Sequence, residues 1–139
     1  MWLQPLAPAV SANLRIFVLS QFRAGLELSP QNPGLHYRYG AALLKQGRTK
    51  EARPYLDRAV EWDPELADAQ YQLGKALIDE GRLPEAEKRF RQALQLEASA
   101  HTRMSAHYQL SQLCRRTGRR QEASEHQKKY EALKAELDK

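Results

Sequence analysis

The sequence predicts an all-α fold, an α-solenoid of antiparallel helix–turn–helix repeats, and three observations carry that expectation. Residues recur at a fixed offset: Tyr37, Gly40, Gly47, Ala52 and Ala59 return 34 positions later as Tyr71, Gly74, Gly81, Ala86 and Ala93. A third copy runs from Tyr108 through Gly118 and Ala123, displaced by 37. A period in the thirties marks stacked units rather than one folded-back core, and it points to binding rather than catalysis. Gly47, Gly81 and Gly118 each close an apolar-periodic segment, where a helix end calls for a left-handed residue. The composition is rich in Ala, Leu, Gln, Glu, Arg and Lys, a mix that favours helix over strand.

The elements follow in chain order. An apolar run from Leu14 to Phe22, closed by Pro30, gives a helix over 11–28. Pro33 opens the next, over 34–46, and Gly47 ends it. The third spans 49–63 up to Pro64, the fourth 66–80 up to Gly81, and the fifth starts at Pro84 and covers 84–97. The sixth, 102–117, ends at Gly118, and the last covers 120–137. Connections of two to five residues force neighbouring helices antiparallel, so the chain reads as a row of hairpins. Pro54 falls just beyond the first turn of the third helix, which therefore either starts late or bends. Between Ala98 and Met104 three extra residues precede the last unit, and a looser turn is expected there.

Within each hairpin small residues mark a close approach. Glycine inside a helix costs about 0.5–1 kcal/mol relative to alanine, yet Gly40 and Gly74 hold the same mid-helix place in two copies. Ala52, Ala86 and Ala123, with Ala59 and Ala93, fill the facing helices, and Leu56 and Phe90 supply bulk between them. With Leu73, Gly74, Leu77, Ala86, Phe90 and Ala93 all in place, residues 33 to about 134 resemble the tetratricopeptide repeat, a 34-residue helix–turn–helix unit. The resemblance implies a right-handed array in a single domain over 1–139. Residues 1–32 form an N-terminal segment and half-repeat, 33–66 and 67–100 two full repeats, and 101–139 a third with a capping helix. The family's opening tryptophan is replaced by His36, Gln70 and His107. Gln127 and Tyr130 stand where the middle copy has Phe90 and Ala93, which fits a polar last helix that no further repeat covers.

In such repeats the first helix of each pair lines a concave groove. Carried onto this chain, the groove positions place Tyr37, Tyr71 and Tyr108 in a ladder of phenols. Arg38, Gln72, Lys75, Gln109, Gln112, Arg115 and Arg116 are the polar groups beside them. Tyrosine offers a large apolar face and a hydroxyl at small entropic cost, which suits a peptide or a partner helix. The carboxylate clamp by which some members hold chaperone tails is absent: Tyr37, Ala41, Gln72 and Ser105 occupy four of its positions. The expected function is a protein-binding scaffold or adaptor. Two alternatives accompany it: RNA binding through the basic last repeat, and oligomerisation through the first helix. There Leu14, Phe17, Val18 and Phe22, with Ile16 and Leu19, spread too widely for one buried face. Either residues 1–10, with Trp2, Leu3 and Leu6, fold over them or another chain does.

Charge and chemistry narrow the classes further. The net charge is +5, and residues 101–139 hold nine Lys/Arg against five Asp/Glu, a surplus that favours an acidic partner. Few aromatics stand beside the arginines around Gly118, which argues against nucleic acid. No run of about 18 apolar residues exists to cross a membrane, and the start lacks a secretory pattern. If residue 1 is the true start, a cytoplasmic protein is expected. The single cysteine, Cys114, is expected in the core. His36, His101, His107 and His126 are scattered along the chain without metal-ligand spacing, and no phosphate loop or nucleophile elbow occurs. No enzyme activity, cofactor or metal is expected.

Overall fold

The computed structural model describes the backbone of residues 7–139 and side chains from residue 12 onward. Seven helices make up the described residues: α1 (Ala7–Leu28), α2 (Pro33–Lys45), α3 (Thr49–Trp62), α4 (Ala67–Asp79), α5 (Leu83–Gln95), α6 (Ala100–Arg116) and α7 (Arg120–Leu137). Sequential pairs α2–α3, α4–α5 and α6–α7 pack most extensively, and each pair meets the next through α3 on α4 and α5 on α6. The first helices also touch one another, α2 on α4 and α4 on α6, whereas α3 and α5 do not meet. That asymmetry curves the array toward the first helices. Helix α1 packs on α2 as α3 packs on α4, so it is placed as the second helix of a preceding unit.

Helix ends are set by local chemistry. Asn32 caps α2, its side-chain oxygen accepting from the Leu35 amide at 3.1 Å, and Pro33 follows where no amide bond is lost. Gly47, Gly81 and Gly118 take φ of 77°, 76° and 79°, the left-handed turn that lets Arg48, Arg82 and Arg119 bond back to carbonyls of the preceding helix. The three extra residues before the last unit do not loosen the turn, contrary to expectation. The α3–α4 and α5–α6 links run over residues 63–66 and 96–99, and α6 instead gains length at its start, with 17 residues against 13 in α4. Ser99 makes this possible by capping the Thr102 amide at 3.1 Å. Helix α1 likewise starts at Ala7 rather than near residue 11. Helix α3 begins at Thr49, so Pro54 lies inside it on an exposed face and does not delay its start.

The core lies between the two helix layers. Leu43, Leu56, Leu73, Leu77, Phe90, Leu110 and Leu113 are almost wholly buried among fully buried alanines at 52, 59, 69, 76 and 86. The mid-helix glycines are explained by contact. A Cβ on Gly40 would stand 2.7 Å from Leu56 Cγ, and one on Gly74 2.7 Å from Phe90 Cε1. Gly74→Ala is therefore expected to destabilise by about 1–3 kcal/mol despite alanine's better helix propensity. A chemical-denaturation midpoint that rises instead would refute the contact argument. The last unit uses a different pair at this place. Buried Ser111 donates to the Tyr108 carbonyl oxygen (3.0 Å) and lies 3.2 Å from Gln127 Oε1, a polar match for Gly74 and Phe90.

Candidate functional site

The groove is built on α2, α4 and α6. Asp68, near the start of α4, links all three: Tyr37 Oη donates to its Oδ2 at 3.4 Å and Thr102 Oγ1 to its Oδ1 at 2.5 Å. Tyr37 is half-buried with the Arg38 guanidinium 5.8 Å from its ring centroid, and the neighbouring phenol raises the Arg38 pKa. Tyr71 is half-buried, tilted against Phe90 at 5.6 Å, with Lys75 Nζ 5.8 Å from its ring. Burial pushes its phenol pKa up, while the polar side chains of Gln109 and Ser105 on α6 pull the other way. Tyr108 is 42% exposed and packs against Tyr130 at 5.3 Å. Gln72 and Gln112 are half-buried, and Arg115 and Arg116 are exposed in the last turn of α6.

The three tyrosines thus hold equivalent places but unequal surroundings. Tyr71 is partly a core residue, Tyr108 offers the most open ring, and Tyr37 is anchored through its hydroxyl. Thr102 escaped the sequence reading because it lies in the stretch that breaks the period. The one available signal was its partner Asp68, which stands at a groove position.

On the other faces, the arginines around Gly118 separate. Arg119 donates to both carboxylate oxygens of Glu87, each at 2.7 Å, and lies 3.5 Å from Glu122, while Arg91 bridges Glu87 at 2.8 Å and Glu122 at 3.0 Å. Arg119 leads the causes that hold Glu87 down to about 2. Arg115, Arg116 and Arg120 remain exposed. Buried Cys114 approaches this group, its Sγ 3.9 Å from Glu122, and burial raises its pKa, so the thiol stays protonated and inert. Glu87, Cys114 and Glu122 lie close enough to share a cation, but the two guanidinium groups already neutralise both carboxylates.

The histidines are not all scattered. His107 on α6 and His126 on α7 meet with Nδ1 atoms 3.0 Å apart, although 19 residues separate them. They stand where the middle unit pairs Gln70 with Arg89 (3.1 Å) and the first sets His36 against Tyr55. His36 fills the family's tryptophan place between Tyr55 and Trp62, its Nε2 on the Pro30 carbonyl oxygen at 2.7 Å.

On α1, Leu14, Ile16 and Phe17 are 60%, 67% and 58% exposed and Val18 is also exposed, while Leu19 is buried and Phe22 packs against the core. Phe22 therefore belongs to the inner side. Residues 7–10 form the first turn of α1 rather than a cover for this face, and the rest of that idea, which rests on Trp2, Leu3 and Leu6, lies outside the described residues. No helix among the described residues is long and apolar enough to cross a membrane.

Comparison with known proteins agrees with this geometry. None of the curated proteins matches the chain. Among solved structures, MamA residues 41 to the end from Desulfovibrio magneticus RS-1 superposes with a TM-score of 0.74 at 27% identity, over 94% of this chain and 72% of that one. YrrB, described as a TPR protein with an unusual peptide-binding site, matches with a TM-score of 0.71 at 28% identity, over 89% of this chain and 62% of its own. Another MamA structure shares the fold at 19% identity, with a TM-score of 0.75 over 97% of this chain and 77% of that one. The family model for the tetratricopeptide repeat matches residues 19–78 and 43–104. With those matches over more than half its length, the chain belongs to the tetratricopeptide repeat family, a family of protein–protein interaction scaffolds that is generally non-enzymatic.

Proposed function

We propose that this single domain is an adaptor that holds an extended peptide or a helix of a partner protein in the groove of α2, α4 and α6. The observation that carries the reading is the repeated tyrosine with a cation at its ring, Tyr37 with Arg38 and Tyr71 with Lys75, continued by the open ring of Tyr108. Gln72, Gln109 and Gln112 are amides suited to bonding a ligand's main chain. Because Asp68 is already engaged by Tyr37 and Thr102, the charge left for a partner is mainly that of Arg38, Lys75, Arg115 and Arg116. An acidic ligand fits that balance. YrrB's peptide-binding description supports the same class of ligand.

The test is affinity capture from the native host with a double variant, Arg38→Glu and Lys75→Glu. A tyrosine triple-alanine variant is a poorer control, because Tyr71 also packs on Phe90. The charge-reversed protein should melt like the parent and lose its principal partner by tenfold or more, consistent with reversal of two contact charges. Equal capture by both forms would exclude the groove.

A second reading, self-association through α1, draws on the exposure of Leu14, Ile16 and Phe17. Phe17→Asp should then convert an oligomer into a monomer in light scattering. A parent protein that is already monomeric at micromolar concentration would dispose of it.

A further inference from the structure

Clefts open on the side of the array at the first and last junctions between units, and the residues at the matching places of all three junctions differ in charge. The first is lined by Arg23 and Glu27 beside His36 and Tyr55. At the middle junction the same register brings Asp57 and Glu61 beside Gln70 and Arg89, and the Arg89 guanidinium bonds the Gln70 amide oxygen. At the last junction, between α5, α6 and α7, the matching places hold Arg91, Gln95, His107 and His126, and Arg103 and Lys129 are added. This cleft, of about 420 Å³, has no carboxylate in its lining. The acidic residue present at both other junctions has become Gln95.

The charges in this cleft are not neutralised alike. Arg91 turns to Glu87 and Glu122. Among the described residues, no carboxylate lies within ion-pair distance of Arg103 or Lys129. Two exposed cations therefore border a buried imidazole pair, and neither cation is paired with a carboxylate of the described residues. The pair itself can take up charge. One Nδ1–H donates and the other Nδ1 accepts, which leaves the donor ring with a free Nε2 lone pair. A proton added there makes the pair cationic without breaking the Nδ1 contact.

We propose that this cleft binds a doubly charged tetrahedral oxyanion, a phosphate group either free or esterified, held by Arg103, Lys129 and the His107–His126 pair. The guanidinium and ammonium groups supply charge-assisted bonds. The histidine pair accepts a proton more readily with the anion in place, so an anion that keeps both charges binds more tightly as the pH falls toward the imidazole midpoint. Burial, then His126, Lys129 and Arg103, hold the His107 pKa down, to about 4. His126 is lowered by burial, Arg91 and Lys129, against the opposing pull of Glu122 and Glu125. An anion on Arg103 and Lys129 would remove the cationic part of that depression.

The test is a titration of the imidazole ring resonances with sulfate, which stays doubly charged across the range, against chloride at equal ionic strength. A parallel arm uses a capped phosphoserine. Sulfate should raise the His107 midpoint by about half a unit or more, as expected when an opposite charge enters. The Arg103→Ala, Lys129→Ala double variant should bind at least about fivefold more weakly. Changing His107→Gln with His126→Arg installs the pair used in the middle unit, and this variant should fold while losing the pH dependence. Binding in both arms marks a free-oxyanion site, and binding of phosphoserine alone marks a phosphate-ester site. No response in either arm beyond that of chloride overturns the proposal, as does unchanged affinity in the Arg103, Lys129 double variant.

Discussion

Replacing Phe90 with alanine should lower the unfolding free energy by about 3–5 kcal/mol, the range for an aromatic deleted from a packed interior. The physical reason lies in its burial and in two contacts. Phe90 is fully buried, it lies over the bare Cα of Gly74, and the ring of Tyr71, from the same helix as Gly74, tilts against it at 5.6 Å. Glycine cannot fill the space that is left, because it has no side chain to move. In a linear array each unit depends on its neighbours, so a cavity in the middle hairpin weakens both junctions at once. Urea denaturation should show the loss, and hydrogen exchange should show it concentrated in α4 and α5 and spreading to α3 and α6. A loss under about 1 kcal/mol would mean that the middle hairpin is not the keystone of the array. Combining Phe90→Ala with Gly74→Ala is informative, since the added methyl group should recover part of the loss in this background alone.

Much of this architecture was legible in the residues because repetition converts weak local signals into strong ones. Gly74 alone reads as a mild helix defect; Gly40 and Gly74 together, each opposite a bulky partner, read as contact, and the 2.7 Å approaches agree. Gly47, Gly81 and Gly118 located the helix ends for the same reason. What escaped lies where the period breaks. The three extra residues extended α6 instead of loosening a loop, since Ser99 supplies a cap that a count of residues does not reveal. The His107–His126 contact was missed because ligand spacing was sought along the chain, whereas the hairpin joins residues across two helices. Comparing His126 with Arg89 and Tyr55 at the equivalent positions would have exposed it. The groove tyrosines were placed by register, but register says nothing about burial. That is why Tyr71, braced by Phe90, and Tyr108, open to solvent, looked alike in the sequence.

Acid should destabilise the protein in two separable stages. The first belongs to the His107–His126 pair: burial lowers both, and with His126, Lys129 and Arg103 it holds the His107 pKa down to about 4. The unfolded chain takes up a proton near the ordinary histidine value of about 6.5, whereas the folded chain resists until about 4. Unfolding is therefore favoured increasingly as the pH falls through that window, and stability is fully present only above it. The second stage belongs to Glu87, held down to about 2 chiefly by Arg119 and then by Arg91. Its contribution is complete above the ordinary carboxylate range and drains away from about pH 4.5 toward 2. Full linkage would give each group about 3 kcal/mol, but partial solvent contact screens both, so on the order of 1–3 kcal/mol apiece is expected. Urea midpoints measured from pH 8 to pH 2.5 in chloride buffers should trace both limbs. His107→Gln should flatten the upper limb and leave the lower, and Glu87→Gln should do the reverse at the expense of stability near neutral pH. That second loss follows because Arg119 and Arg91 would then face an uncharged amide, with only Glu122 left to balance them. If the upper limb survives in His107→Gln with unchanged slope, the paired imidazoles are not its source. Sulfate in place of chloride should shallow the same limb, because an oxyanion beside Arg103 and Lys129 lets the folded protein accept the proton it otherwise refuses.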